Sequence, residues 1–168
     1  MDEANLGILI LRVAIGLTMA AHGWAKTRGP NGLAGTAGWF DSMGMRPGIV
    51  HARLAAGTEI VSGLLLAAGL RTPFAGAAFV GLMVVAGWTV HRENGFFIVK
   101  DGWEYNFVLA LIGVVVATTG PGEWSVDEAL GIATDLDGVV GLAIALGFGL
   151  AGGIAQLVLF YRPSVTAD

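Results

Sequence analysis

The chain has 168 residues, one domain's worth, and 55% of them are apolar before its 27 glycines are counted. Charged residues are 13%, about half the roughly 25% of a soluble domain, and mean hydropathy is +0.72. This balance excludes a water-soluble enzyme and a disordered chain. A net charge of −4 without a basic tract excludes nucleic-acid binding, and the absence of Cys excludes disulfides, thiolate metal sites and a thiol nucleophile.

A bilayer core about 30 Å thick needs roughly 20 mostly apolar residues per helix. The first such stretch runs over 6–26, interrupted by Arg12 and His22. Asp2 and Glu3 stand where a secretory signal would be basic, so this span is expected to be retained. Residues 31–50 place Leu33, Trp39, Phe40 and Met43 among Gly and Ser. They fit either a short amphipathic helix in the membrane interface or a plain loop. The second span covers 52–70 and contains Glu59; a tight turn, Gly69 to Pro73, joins it to the third, over 73–91. The fourth covers 103–119. Ser125 and Glu128 have the spacing of a capping box and predict a short helix in the following loop. The fifth span covers 138–161. Gly141, Ala145, Gly149 and Gly153 lie four apart within it, forming a ridge that lets another helix approach closely. That helix belongs either to the same bundle or to a second copy. Nothing shows the ten-residue alternation of a membrane barrel.

Five spans place Arg71 on one side with Asp2, Glu3, Glu123, Asp127, Glu128, Asp135 and Asp137. The other side holds Lys26, Arg28, Arg46, Arg53, Arg92, Lys100 and Arg162. The basic bias predicts a plasma-membrane protein with the N-terminus outside and the C-terminus cytoplasmic.

An intramembrane charge needs a partner, water or a task. Arg12 lies about 9 Å inside the outer end of its span and Glu59 about 16 Å inside its own, a difference that long side chains bridge. An Arg12–Glu59 pair is therefore expected. It fixes helix register, or it makes Glu59 a proton carrier. A second group gathers at the cytoplasmic end: His22 and Lys26 on one face of span one, Arg53, His91, Asn94, Glu104, Tyr105 and Asn106. Trp24, Trp88 and Trp103 share that level. An aromatic belt with snorkelling cations explains the Trp residues, Lys26 and Arg53. It explains two His and a Glu less well, and these predict a pocket where His22, Lys26, His91 and Glu104 converge. His22, His91 and Glu104 also have the donor types of a two-His, one-carboxylate metal set, but they show no metal-binding spacing, and no metal is assigned. Gly147 to Gly152 matches a dinucleotide fingerprint in letters only, because it follows no strand.

Four stretches together resemble the DoxX family of small membrane proteins: LRVAIGLTMAAHGWAK over 11–26, ARLAAGTEIVSGLLLAAGLRTP over 52–73, NGFF over 94–97 with WEYN over 103–106, and GPGEWSVD over 120–127. The resemblance covers about residues 6–130. It implies an all-α polytopic bundle: a four-helix core over 1–130, to which this chain adds a C-terminal transmembrane helix and short tail over 131–168. It further implies quinone-linked oxidation, such as that of thiosulfate:quinone oxidoreductase subunits, and membrane complexes that answer oxidative stress. The candidate proton-handling residues are His22, Glu59, His91 and Glu104. The candidate ligand-binding residues are Arg12, Lys26, Trp88, Asn94 and Asn106. The expected ligand is a quinone, and the electrons come from a bound cofactor or a partner subunit. The expected partners are lipid, other membrane or redox subunits, or a second copy docked on the glycine ridge. The alternative is a non-enzymatic scaffold or small-molecule carrier.

Overall fold

The computed structural model describes residues 2–163. Seven α-helices follow in order: α1 Glu3–Arg28, α2 Gly32–Ser42, α3 Gly48–Ala68, α4 Thr72–Ala86, α5 Glu104–Thr119, α6 Val126–Ala129 and α7 Gly138–Phe160. A π-helical turn, Gly87–His91, and a 3₁₀ turn, Arg92–Asn94, prolong α4. Among the described residues the one β-type pairing is an isolated bridge, Met45 to Tyr161. The tail beyond Pro163 lies outside the described residues.

Local chemistry explains the helix ends. The Asp2 side chain caps α1 by accepting from the Ala4 N–H at 3.1 Å, Glu3 lies in the first turn, and Lys26 and Arg28 lie in the last. Both charge placements favour the helix dipole. α3 stops at Gly69, which takes the left-handed conformation, φ +67°. A side chain there would also strike the Arg12 guanidinium and Ser125. Ser125 accepts from the Glu128 N–H at 3.1 Å and starts α6, as its spacing predicts. The 31–50 segment resolves in favour of a helix: α2 forms, and buries Ala37 and Phe40 in a cluster with Met45, Ala52 and Val85.

α1, α3, α7 and the continuous helical run Thr72–Asn94 are each long and apolar enough to cross a membrane. α5 has 16 residues, about 24 Å of helix, shorter than the usual span. It nevertheless joins the two ends of the bundle. Its first residue bonds to the loop that follows His91, and the segment after it reaches Asn5 and Arg12 beside the start of α1. Arg92 stacks near Tyr161 at one end, and the Asp127 carboxylate accepts from the Arg71 backbone N–H at the other. These are called the basic and acidic ends below.

α4 is the central helix, packed on α3, α5 and α7. Its Ala75, Phe79 and Met83 form the core with Met19, Leu66, Leu109 and Val116. Small residues set the helix separations. A Cβ on Gly16 would lie 2.5 Å from the Gly63 carbonyl, and one on Gly23 would lie 2.7 Å from that of Ala56. α1 and α3 therefore run antiparallel in close contact. The α7 ridge does the same against α4 and α5. Gly149 packs on Ala77 and Val80, Gly153 on Gly81 and Val84, and Gly141 on Ala117. All three, with Ala145, are buried inside the chain. Of the two readings of this ridge, packing within the bundle holds: the chain's own helices fill it, and it offers no face to a second copy.

Candidate functional site

Arg12 and Glu59 do not pair. Glu59 bonds instead to Lys26, whose Nζ lies 2.8 and 2.6 Å from the two carboxylate oxygens. The Arg12 guanidinium, 1% exposed, donates to the carbonyls of Ala67 and Trp124 at the acidic end. Side chains on a helix lean toward its N-terminus. In an antiparallel pair, Lys26 and Glu59 therefore lean toward each other, whereas Arg12 and Glu59 lean apart. Arg12 faces Ala67, eight residues along α3 from Glu59, or about 12 Å. It ties α1 to the C-terminal end of α3, where unpaired carbonyls favour a cation, and to the loop that closes the bundle.

The Lys26–Glu59 pair lies in the wall of a cavity of about 230 Å³ near the basic end. The lining is mostly apolar, with Met19, Phe40, Leu82, Met83, Val85 and Leu109 among it. The polar groups are few: His22, Lys26, Glu59, Thr89, His91, Tyr105, Asn106 and Gln156. Five packed elements supply them, α7 through Gln156. His22 and Lys26 lie on the last two turns of α1, and Glu59 at the middle of α3. Thr89 and His91 come from the π turn, and Tyr105 and Asn106 from the first turn of α5. A π turn adds a residue to the helical repeat. Here Ala86, Thr89 and Val90 line the cavity while Gly87 and Trp88 line a separate groove on the flank.

The remaining hydrogen-bonding capacity defines what this cavity can hold. Lys26 has three N–H donors, and its bonds to Glu59 leave one for a ligand. His91 Nδ1 lies 2.6 Å from the Asp101 carbonyl, which can only accept, so its Nε2 is the free ring nitrogen. Asn106, 8% exposed, makes one weak contact, from Nδ2 to Met83 Sδ at 3.6 Å. The His22 ring tilts toward Tyr105, centroid to centroid 6.4 Å.

The expected pocket of His22, Lys26, His91 and Glu104 thus forms with three of its four members. Glu104 is corrected out of it: its Oε2 accepts from the Ile98 N–H at 2.9 Å and holds the 95–103 loop against the start of α5. The His22, His91 and Glu104 donor set is therefore not assembled. Asn94 serves the same loop, donating to the Asp101 carbonyl at 3.2 Å. Trp88 stands outside the cavity under the Arg92 guanidinium, 4.6 Å from its ring centroid. Arg12 is at the far end. Sequence reasoning missed Gln156, although it is the one polar side chain in α7. That isolation was the available signal.

A family model described as DoxX matches residues 7–92. A Bacillus subtilis protein named "Putative oxidoreductase CatD" is 31% identical over 116 residues, covering 69% of this chain and 81% of that protein. A Haemophilus influenzae protein named "Uncharacterized protein" is 24% identical over 128 residues, covering 76% of this chain and 85% of that one. No solved structure matches. His22, Lys26, Glu59 and His91 fall inside the family match, while Tyr105, Asn106 and Gln156 lie beyond it.

Proposed function

The chain belongs to the DoxX family of small integral membrane proteins, and we propose that its basic-end cavity binds the head of a quinone for a membrane redox reaction. The observation that carries this reading is a Lys26–Glu59 pair, its carboxylate buried, set into the wall of a mostly apolar cavity. An apolar enclosure with a few convergent polar groups is the usual form of a small-ligand site. At about 230 Å³ the cavity is smaller than the roughly 300–1,000 Å³ that encloses a drug-sized molecule. It suits a single ring, with the tail left outside. A quinone carbonyl accepts hydrogen bonds, and the spare Lys26 N–H supplies one donor. Reduction takes up two electrons and two protons. His22 and His91 bring imidazole nitrogens, which can donate or accept a proton, to the cavity wall, and Glu59 lies in the same wall. Electrons enter from a partner subunit or a bound cofactor. The printed name of the Bacillus subtilis relative, an oxidoreductase, supports a redox role.

Titration of a short-tail quinone into the purified protein in lipid nanodiscs should give saturable binding, weakened about threefold to tenfold in His22→Ala by the loss of one hydrogen bond. No saturable binding to the unaltered protein would overturn the reading and favour a scaffold or a carrier of another molecule. Binding that is unchanged in both His22→Ala and Lys26→Met would place the quinone elsewhere.

The same reading puts the cavity on the cytoplasmic face, since Lys26, Arg28, Arg46, Arg53, Arg92, Lys100 and Arg162 belong to that end. A fluorescent reporter fused to the C-terminus should light up and a phosphatase reporter should stay silent. The opposite result inverts the protein and moves the site to the outer face.

A further inference from the structure

Behind Gln156 stands a buried histidine, His51, that takes no part in the function above. His51 is 1% exposed. Its ring sits between Phe40, at 6.1 Å, and Phe160, edge-on at 5.0 Å. Its Nε2 has no hydrogen-bond partner, and its Nδ1 lies 3.0 Å from Nε2 of Gln156. Gln156 in turn lines the same cavity as Lys26 and Glu59. An amide nitrogen can only donate, so His51 Nδ1 accepts from one of its two N–H groups. The bond fixes the amide and leaves it one N–H donor and a carbonyl acceptor.

We propose that Gln156 is the ligand contact that α7 contributes to the cavity, with His51 as the positioning residue behind it, and that this contact serves both the oxidised and the reduced head. The proposal rests on the quinone reading above. The two redox forms need opposite partners. A quinone oxygen only accepts, whereas a quinol hydroxyl also donates. Lys26 can only donate, and the Glu59 carboxylate that it holds can only accept. A primary amide carries both functions on one group. The free N–H of Gln156 meets a quinone carbonyl, and its carbonyl oxygen accepts from a quinol hydroxyl. Without His51 the amide would rotate freely and its order would have to be imposed by the ligand, at a cost in affinity.

The test uses the full chain in nanodiscs with a short-tail benzoquinone and, separately, its quinol. Gln156→Met keeps length and apolar packing but removes both functions. It should weaken both forms about threefold to tenfold. In the bound quinone it should also raise the infrared carbonyl stretch, because a carbonyl that loses a donor stiffens. His51→Phe keeps a ring between Phe40 and Phe160. It should weaken binding in the same direction and add nothing in the Gln156→Met background. A general loss of stability would not move the carbonyl band of the bound population. Binding by the unaltered protein with affinity and band unchanged in Gln156→Met would overturn this assignment and leave the cavity reading standing. Absence of binding in the unaltered protein would overturn both.

Discussion

Lys26→Met should destabilise the protein by about 3–5 kcal/mol, the usual effect of leaving one member of a buried ion pair alone. The Glu59 side chain is 9% exposed and Lys26 is its ion-pair partner. Lys26 itself is 22% exposed, so in Glu59→Gln its ammonium can turn toward the headgroups and the loss should be smaller. The double variant Lys26→Met with Glu59→Gln should recover much of the first loss, because a neutral amide is far less costly to bury than a carboxylate. Thermal unfolding in detergent or nanodiscs, read for all three variants, gives the coupling. Losses that simply add would show that the two groups act independently and would remove the pair from the site.

The second large effect is expected at the opposite end. Arg12 joins three segments: its own helix, the carbonyl of Ala67 at the end of α3, and the carbonyl of Trp124 in the loop before α6. Arg12→Met leaves both acceptors without their donor, at about 1–3 kcal/mol for each that stays buried. The loop should then open. Limited proteolysis between residues 120 and 137 should become fast while the helices remain protected. Arg12→Lys should restore less than half of the loss, since one ammonium cannot reproduce a planar fork with two separated donors. Arg12→Met and Glu59→Gln should be additive, because the two groups share no partner and lie more than about 10 Å apart along the bundle. Coupling between them would contradict the observed pairing of Glu59 with Lys26.

The membrane-spanning character, the all-helical class and the five apolar stretches follow from composition and run length. Those are properties of each segment alone, because the bilayer demands the same length and apolarity of any helix that crosses it. Ser125 as a cap and His22, Lys26 and His91 as neighbours at one depth were also legible, since position within a span fixes depth. Depth does not fix the direction in which a side chain leans or the axial offset of two helices. Gly16 against Gly63 sets that offset, and it sends Arg12 to the loop and Glu59 to Lys26. Glu104 shows the same limit: its level was right, but the backbone N–H of Ile98 claims its carboxylate. The α7 ridge was visible as a row of small residues, and only packing decided that α4 and α5 fill it. Gln156 was visible as a lone polar residue, but its partner, His51, stands 105 positions earlier in the chain. Tertiary structure decides such matters because they depend on how separate helices slide and rotate against one another, and that is settled by close contacts between residues far apart in sequence.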